Sequence, residues 1–291
     1  MPTTSGGTTY TVRTTDAVAA AGSIYWAVAD NQNGAVDVPI VVYTHGNGGP
    51  PNQFTSYGEW KGLRDWLIDN GWAYVECTGG GATSWGNQAS RDAYEAALTY
   101  VDTQIATGKV VVLGRSMLGL VAYWLASQSP VIAPRCVGLI VNSGTTDLTY
   151  RYSVANGTDK TNMRTAYGAA DDAAFAANSI GFDPMLFPES VWNGRKVLQM
   201  WGTADTTVPP ATHAQAWVTK YAASCGLCLT DIRDGGDHSA ANGSYLQVAA
   251  MANFLTLVTQ EAAPVPTVRI ITEAIYIGAD GFPRSIAVSP T

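Results

Sequence analysis

Three short polar segments of this 291-residue sequence contain the residue types that a nucleophilic attack on a carbonyl carbon requires. Ser116 lies in the run Gly-Arg-Ser-Met-Leu-Gly, Asp205 in Gly-Thr-Ala-Asp-Thr-Thr, and His238 in Gly-Gly-Asp-His-Ser. A serine hydroxyl is a poor nucleophile unless a neighbouring imidazole removes its proton, and the imidazole needs a carboxylate to fix its tautomer. Together the three groups would form an acyl-serine intermediate that water then hydrolyses.

Each of these residues follows a segment that is predicted to be a β-strand. Short runs rich in β-branched and apolar residues alternate with amphipathic helical segments, which is typical of an α/β fold with a mostly parallel central sheet flanked by helices. The predicted strands are residues 23–29, 38–43, 72–77, 109–113, 136–141, 196–201 and 228–233, and the predicted helices are residues 57–69, 89–105, 116–126, 211–223 and 244–259. Because the carboxyl ends of parallel strands meet at one edge of a sheet, we expect Ser116, Asp205 and His238 to lie close together.

The segment around Ser116 resembles the nucleophile turn of the α/β-hydrolase family, whose pattern is Gly-x-Ser-x-Gly between a strand and a helix. Gly114 and Ser116 match this pattern, whereas Leu118 stands where the family has a small residue. The order serine, acid, histidine along the chain is also the order of this fold. Strand 38–43 ends in Thr-His-Gly-Asn-Gly-Gly, which is similar to the oxyanion loop of the family. The resemblance extends over about residues 20–260.

This resemblance implies a role for each matching residue. Ser116 would be the nucleophile, His238 the general base, and Asp205 the acid that orients the imidazole. The backbone N–H groups of Asn47 and Met117 would form the oxyanion hole, in which the loss of one donor typically lowers the rate by about 10²–10³. The chemistry needs no metal and no organic cofactor, so none is expected.

Three other residues are alternatives for parts of this site. Asp237 is the rival acid, although side chains adjacent in sequence rarely reach the geometry that pairing with His238 requires. His213 is the rival base, and its position in a predicted helix favours a place on a surface or a groove. His45 is expected to pack and hydrogen-bond beneath the oxyanion loop without transferring a proton.

Substrate-contacting residues are predicted from their bulk and position. Leu118 stands in a tight turn where a tiny residue is usual, so it is expected to distort the turn or to extend into the site. Overpacking of this kind destabilises a protein by about 1–3 kcal/mol. We therefore expect Leu118→Gly to raise the turnover of a small ester. Trp85, in the glycine-rich loop 78–87, and Trp192, shortly before strand 196–201, are the predicted walls of the binding site.

The chain is predicted to divide into one large domain and a short appendage. Residues 1–262 would form the α/β domain, with residues 144–192 inserted as a small cap over the edge of the sheet. A proline-containing linker at 262–266 leads into residues 263–291, where the strand-like runs 268–277 and 284–288 flank turn residues. This pattern predicts a C-terminal β-hairpin.

Composition excludes several classes of partner. With 16 basic and 23 acidic residues the formal net charge is −7, and no basic run exceeds two residues, which argues against nucleic-acid binding. No segment predicts a transmembrane span, and the first residues lack the basic and apolar regions of a secretory signal. Cys225 and Cys228 form one C-x-x-C without further ligands beside it, so we expect a local disulfide or two inert thiols. The low charged fraction, 13 %, favours an extracellular or virion setting over a cytoplasmic one.

Two functional hypotheses follow. The first is a carboxylesterase-like serine hydrolase (EC 3.1.1) that acts on a small-molecule or lipid-like ester, with amides and thioesters open to the same apparatus. The second is a hydrolase-fold scaffold with weak or no activity, in which residues 264–291 mediate self-association or dock the domain onto a larger assembly such as a virion tail. Leu118 combined with this appendage resembles phage-encoded tail-associated esterases of actinobacterial viruses.

Overall fold

The computed structural model describes residues 1–32, 34–239 and 247–260, together with the backbone of two strands further along the chain. The chain forms two compact units, Met1–Val258 and Thr259–Thr291. The boundary between residues 262 and 263 that the sequence suggests stays a prediction. Among the described helices, none is long and apolar enough to span a membrane.

A mostly parallel sheet forms the centre of the first unit. Its strands are β1 (Tyr10–Thr15), β2 (Ile24–Ala29), β3 (Val38–Thr44), β4 (Ala73–Cys77), β5 (Thr107–Arg115), β6 (Cys136–Asn142), β7 (Lys196–Gly202) and β8 (Leu227–Arg233). Over the described residues the strand order is β1-β2-β4-β3-β5-β6-β7-β8. The pairs β1–β2 and β2–β4 are antiparallel, and the remaining neighbours are parallel.

Helices cover both faces of this sheet. They are α1 (Gln53–Ser56), α2 (Lys61–Asp69), α3 (Gln88–Asp102), α4 (Gly119–Ser127), α5 (Leu148–Val154), α6 (Gly157–Ala166), α7 (Asp172–Ser179), α8 (Ala214–Tyr221) and α9 (Val248–Thr259). Val110 and Val112 of β5 pack with α3, α4 and α8 in one core, whereas Val111 and Leu113 pack with α2 and α9 in the other. A continuous apolar run is what a strand covered on both faces requires.

Helices α5, α6 and α7 form an insertion between β6 and β7. Arg91 of α3 holds it, because the guanidinium carbon lies 4.5 Å from the ring centre of Trp124 and 3.9 Å from that of Phe182. The Tyr167 hydroxyl donates a hydrogen bond to the backbone carbonyl oxygen of Trp85 at 2.7 Å. The insertion therefore packs on α3, on α4 and on the glycine-rich loop that follows β4.

The predicted α/β class, with a mostly parallel sheet flanked by helices, is confirmed. The seven predicted strands agree with β2 to β8 within two residues at each end. Strand β1 was not predicted, because it lies at the edge of the sheet and only Tyr10 of its six residues is buried. An edge strand of this kind lacks the apolar run that marks a covered strand.

The second unit contains β9 (Glu273–Ile277) and β10 (Pro283–Ala287), which pair antiparallel with Ile277 opposite Pro283. This is the pairing expected of the runs 268–277 and 284–288. The predicted linker 262–266, the turn residues 278–282 and the start of the predicted helix 244–259 lie outside the described residues.

The four cysteines are free thiols. Of the two alternatives for Cys225 and Cys228, the structure therefore holds thiols rather than a disulfide. The Cys225 thiol donates to the carbonyl oxygen of Tyr221 at 3.4 Å.

Gly119 marks a close approach between α4 and the loop after β6. A Cβ atom added at Gly119 would lie 2.9 Å from the Cα atom of Gly144 and 3.2 Å from the amide nitrogen of Thr145. Both neighbours are backbone atoms that cannot rotate away, so a side chain here would push the helix off the loop.

We expect Gly119→Ala to lower the free energy of unfolding by about 1–3 kcal/mol, the usual effect of overpacking a tight site. Urea titration followed by tryptophan fluorescence measures this change. Gly157→Ala is the matched control, because Gly157 also begins a helix and a Cβ there meets no atom within 4 Å. Equal stability of the two variants would contradict this account.

Candidate active site

Ser116 follows β5 directly and begins the turn into α4. Its backbone φ is +49°, in the left-handed region that non-glycine residues adopt at roughly 1–3 kcal/mol. Residues Ser116–Leu118 form one 3-10 turn, so α4 begins three residues later than the predicted helix. The amide of Thr145 donates to the Ser116 carbonyl oxygen at 2.8 Å, and the Thr44 hydroxyl donates to the Leu118 carbonyl oxygen at 2.9 Å. These bonds hold the turn, and Ser116 stays partly exposed.

Ser116, His238 and Asp205 form a continuous chain of hydrogen bonds at the carboxyl ends of β5, β7 and β8. The Ser116 Oγ lies 2.8 Å from the His238 Nε2, and the His238 Nδ1 lies 2.7 Å from the Asp205 Oδ2. The structure thus brings together three residues that the sequence analysis singled out, two of them 122 positions apart. Their catalytic roles stay predictions.

The carboxylate of Asp205 is buried, and backbone amides hold it in place. Its side chain has no exposed surface, whereas 19 % of the His238 side chain is exposed. Asp205 Oδ1 accepts hydrogen bonds from the amides of Thr207 and Val208 at 3.0 and 2.8 Å, so one oxygen holds the turn and the other meets the imidazole. Because an ionised carboxylate only accepts hydrogen bonds, Nδ1 carries the proton of neutral His238 and Nε2 accepts from the Ser116 hydroxyl.

Two of the alternative residues hold loops. Asp237 Oδ1 accepts from the amide and the hydroxyl of Ser239 at 2.8 and 2.7 Å, which closes the turn around His238. His45 is buried, and its two ring nitrogens lie 2.8 Å and 3.1 Å from the backbone carbonyl oxygens of Gly46 and Thr78. Both contacts brace the backbone beside the site.

His213 is fully buried, which corrects the expectation that it lies on a surface or a groove. It precedes α8, and its Nδ1 accepts long hydrogen bonds from the amides of Thr146 and Asp147 at 3.4 and 3.3 Å. Burial lowers the pKa of His213 from 6.5 to about 4, and the nearby guanidinium of Arg151 acts in the same direction. The neutral ring therefore fixes the loop after β6.

The loop after β3 passes directly beside Ser116. A Cβ atom at Gly46 would lie 3.5 Å from the Cβ and 4.0 Å from the Oγ of Ser116. Met117 follows Ser116 in the 3-10 turn that leads into α4. Backbone amides at the start of a helix have no acceptor within the helix. Asn47 and Met117 thus belong to two backbone segments that flank Ser116, and their role as an oxyanion hole stays a prediction.

Leu118 does not extend into the site. Its side chain has no exposed surface and packs in the core that contains α4. The close approach that excludes a side chain occurs at Gly119, one position later and the first residue of α4. The role of Leu118 as a substrate contact stays a prediction. The expected gain from Leu118→Gly loses its basis, because emptying a core position typically destabilises a protein by about 2–5 kcal/mol.

The two predicted wall residues are buried as well. Trp85 is 2 % exposed, and its ring centre lies 5.4 Å from the guanidinium carbon of Arg151. Trp192 has no exposed surface, and its ring packs edge-on against Tyr123 and Trp217 with centres 5.8 and 4.9 Å apart. Trp192 also precedes the first residue of β7, so it lies at the edge of the sheet opposite Ser116. The structure thus places both rings in the interior, and their role as walls of the site stays a prediction.

Two buried polar residues near the loop after β3 were not identified from the sequence. Glu76 is 1 % exposed and Gln53 is 5 % exposed. Glu76 stands in the apolar strand Ala-Tyr-Val-Glu-Cys, which is itself a signal because a buried carboxylate needs hydrogen-bond donors. Gln53 lies in a polar stretch of the sequence that offers no comparable signal, although it begins α1.

Comparison with known proteins gives matches among solved structures only. No protein-family model and no curated protein matches this sequence. The chain is similar to a prolyl endopeptidase, with a TM-score of 0.65 and 18 % identity over 86 % of this chain and 39 % of that one. It is also similar to a truncated carbohydrate esterase from gut microbiota, with a TM-score of 0.63 and 15 % identity over 87 % of this chain and 97 % of the esterase.

A third match is the Pyrococcus furiosus esterase Pf2001, with a TM-score of 0.56 and 13 % identity over 88 % of this chain and 90 % of the esterase. The chain therefore spans about two-fifths of the endopeptidase and nearly the whole of both esterases. Together with the strand order, these likenesses show that the chain has the α/β-hydrolase fold.

Acidification is expected to destabilise the protein through His213. The unfolded chain binds a proton on this residue near pH 6.5, whereas the folded protein binds it near pH 4. The contribution of His213 to the free energy of unfolding is therefore fully present above pH 6.5. It is lost as the pH drops toward 4, and the total loss is roughly 3 kcal/mol.

Urea titrations at several pH values between about 7 and 4 would measure this loss of stability, because a histidine titrates over this range. The reference is His213→Asn, because the Asn side-chain oxygen can accept from the same two amides but does not titrate. The stability of the wild type should fall more steeply with acid than that of the variant. Parallel curves would show that His213 is not the group responsible.

Proposed function

We propose that the protein is a serine hydrolase that cleaves carboxylic esters through an acyl-serine intermediate, using its own side chains and backbone without a metal or an organic cofactor. The observation that carries the proposal is the hydrogen-bonded chain from Asp205 through His238 to Ser116. Its position supports the proposal, because the three residues lie at the carboxyl edge of an α/β-hydrolase sheet, where they follow β7, β8 and β5.

In the first half of the reaction, the Ser116 Oγ attacks the carbonyl carbon of the ester while the His238 Nε2 takes the hydroxyl proton. The carboxylate of Asp205 accepts from Nδ1–H and stabilises the imidazolium that forms. The backbone N–H groups of Asn47 and Met117 donate to the oxyanion of the tetrahedral intermediate. His238 then gives its proton to the oxygen of the departing alcohol, which leaves the acyl group on Ser116.

In the second half, a water molecule replaces the alcohol. His238 takes a proton from this water as its oxygen attacks the acyl carbonyl carbon, and the same donors meet the second oxyanion. Collapse of the intermediate breaks the bond to the Ser116 Oγ, which recovers its proton from His238. The products are a carboxylic acid and the original enzyme.

Two of the structural neighbours support an ester as the substrate. The two esterases match this chain over 97 % and 90 % of their own lengths, whereas the prolyl endopeptidase matches over only 39 % of its length. The substrate class we propose is therefore a small-molecule or lipid-like ester.

Labelling by a fluorophosphonate probe tests the nucleophile. We expect the wild type to be labelled stoichiometrically and to hydrolyse p-nitrophenyl esters, because both reactions need an activated serine. Ser116→Ala should lose both. Ser190→Ala, a change at an exposed serine in the segment before β7, should keep both. Labelling that survives in Ser116→Ala would refute the assignment.

Two aspartates near His238 allow a matched test of the acid. Asp205→Asn keeps the shape of the side chain but favours the histidine tautomer whose Nδ1 accepts a hydrogen bond instead of donating one. We therefore expect kcat to fall by a factor of about 10³–10⁴. Asp237→Asn removes a charge beside the same histidine, and kcat should change by less than about tenfold because the Asp237 carboxylate accepts from the amide and hydroxyl of Ser239 and does not take the place of Asp205 at Nδ1. Steady-state kinetics on one ester measures both. A larger loss in Asp237→Asn would reverse the assignment.

The labelling experiment also separates an enzyme from the alternative, a hydrolase-fold scaffold that docks through residues 264–291. The separate unit Thr259–Thr291 is what favours this alternative. A scaffold would leave Ser116 unlabelled in a well-folded wild-type protein.

A further inference from the structure

The carboxylate of Glu76 lies buried in the sheet, where its two oxygens meet the first turn of α1. Oε2 accepts from the amide of Phe54 and Oε1 from the amide of Thr55, both at 2.6 Å. Burial raises the pKa of Glu76 to about 7, as expected of a carboxyl removed from water. Because a buried carboxylate is strongly destabilising unless donors surround it, these two bonds fix α1 against β4.

Gln53, the first residue of α1, extends this contact to the loop after β3. Its Oε1 accepts from the amide of Gly46 at 3.0 Å and from the hydroxyl of Tyr43 at 2.7 Å. Its Nε2 lies against the other end of the loop, because a Cβ atom at Gly49 would be only 3.0 Å away. The Gln53 amide therefore touches the loop near both of its ends.

Asn47 stands between two anchored neighbours. The amide of Gly46 donates to Gln53, and the amide of Gly48 donates to the carbonyl oxygen of Ala82 at 2.8 Å. Gly48 has a φ of +67°, a conformation that lets the backbone reverse at this point. The direction of the Asn47 amide is thus set by what holds the residues on either side of it.

We propose that Gln53 and Glu76 are positioning residues for the oxyanion loop: Glu76 fixes the first turn of α1, and Gln53 at its start holds the Gly46 amide so that the Asn47 amide faces the reacting carbonyl oxygen. This inference rests on the proposed function. Neither side chain touches the substrate. Both act on transition-state stabilisation, because an oxyanion donor is useful only when it is already in place.

Gln53→Met is the direct test, because methionine has similar length but cannot accept from Gly46. Tyr43→Phe is its matched control, since it removes the other hydrogen bond to the same oxygen and leaves the Gly46 contact intact. Active-site titration first gives the concentration of competent sites, so that kcat is expressed per site. A merely structural role would lower the number of sites, not the rate at each one.

We expect Gln53→Met to lower kcat per site by about 10–100-fold while KM stays within about threefold, because a displaced oxyanion donor weakens the transition state more than the ground state. Tyr43→Phe should stay within about threefold in both constants. Equal kcat values per site in the two variants would overturn the inference.

Amide hydrogen exchange of residues 44–49 gives a second reading that does not depend on turnover. Exchange in this segment should be faster in Gln53→Met than in Tyr43→Phe, and equal rates would overturn the inference. If the wild type hydrolyses no ester, the proposed function fails and exchange alone decides whether Gln53 anchors the loop. If Gln53→Met does not fold, Glu76→Gln is measured in the same two ways, because its amide can accept only one of the two backbone N–H groups.

Discussion

The buried carboxylate of Asp205 is the constraint on which the geometry of the site depends. A carboxylate removed from water requires donors, and this one meets the amides of Thr207 and Val208 and the Nδ1–H of His238. The two backbone bonds fix one oxygen, so the direction of the other is determined and the imidazole follows it. The plane of the imidazole in turn determines where the Ser116 oxygen must lie.

The rest of the domain brings Ser116 to that point and keeps it there. A left-handed serine persists only when its surroundings over-determine it, and here bonds from the loop after β6 and from Thr44 at the end of β3 hold the turn. Gly119 lets α4 approach the loop after β6 closely enough for the first of these bonds to form. On the far side of the serine, the buried pair Gln53 and Glu76 ties the loop after β3 to the sheet. A strained turn is thus supported by well-packed neighbours on both sides.

The sheet and the residues at its carboxyl edge were predictable, because covered strands leave apolar runs and because strand order determines which loops meet. Side-chain direction was not predictable. The pattern of the turn does not show that the Leu118 side chain packs in the core or that the close approach to the loop after β6 lies at Gly119. Trp85 and Trp192 were expected at the surface of the site, yet their burial depends on long-range packing that local sequence does not encode. The burial of His213 depends on long-range packing in the same way.

The central claim, that Ser116 carries the acyl group during turnover, is tested most directly by trapping the intermediate. The protein would be mixed with a p-nitrophenyl ester, quenched in acid before steady state, digested and analysed by mass spectrometry. We expect an acyl mass on the peptide that contains Ser116 and, when deacylation is the slower step, a burst of one p-nitrophenolate per active site. An acyl group on a residue other than Ser116 would contradict this mechanism.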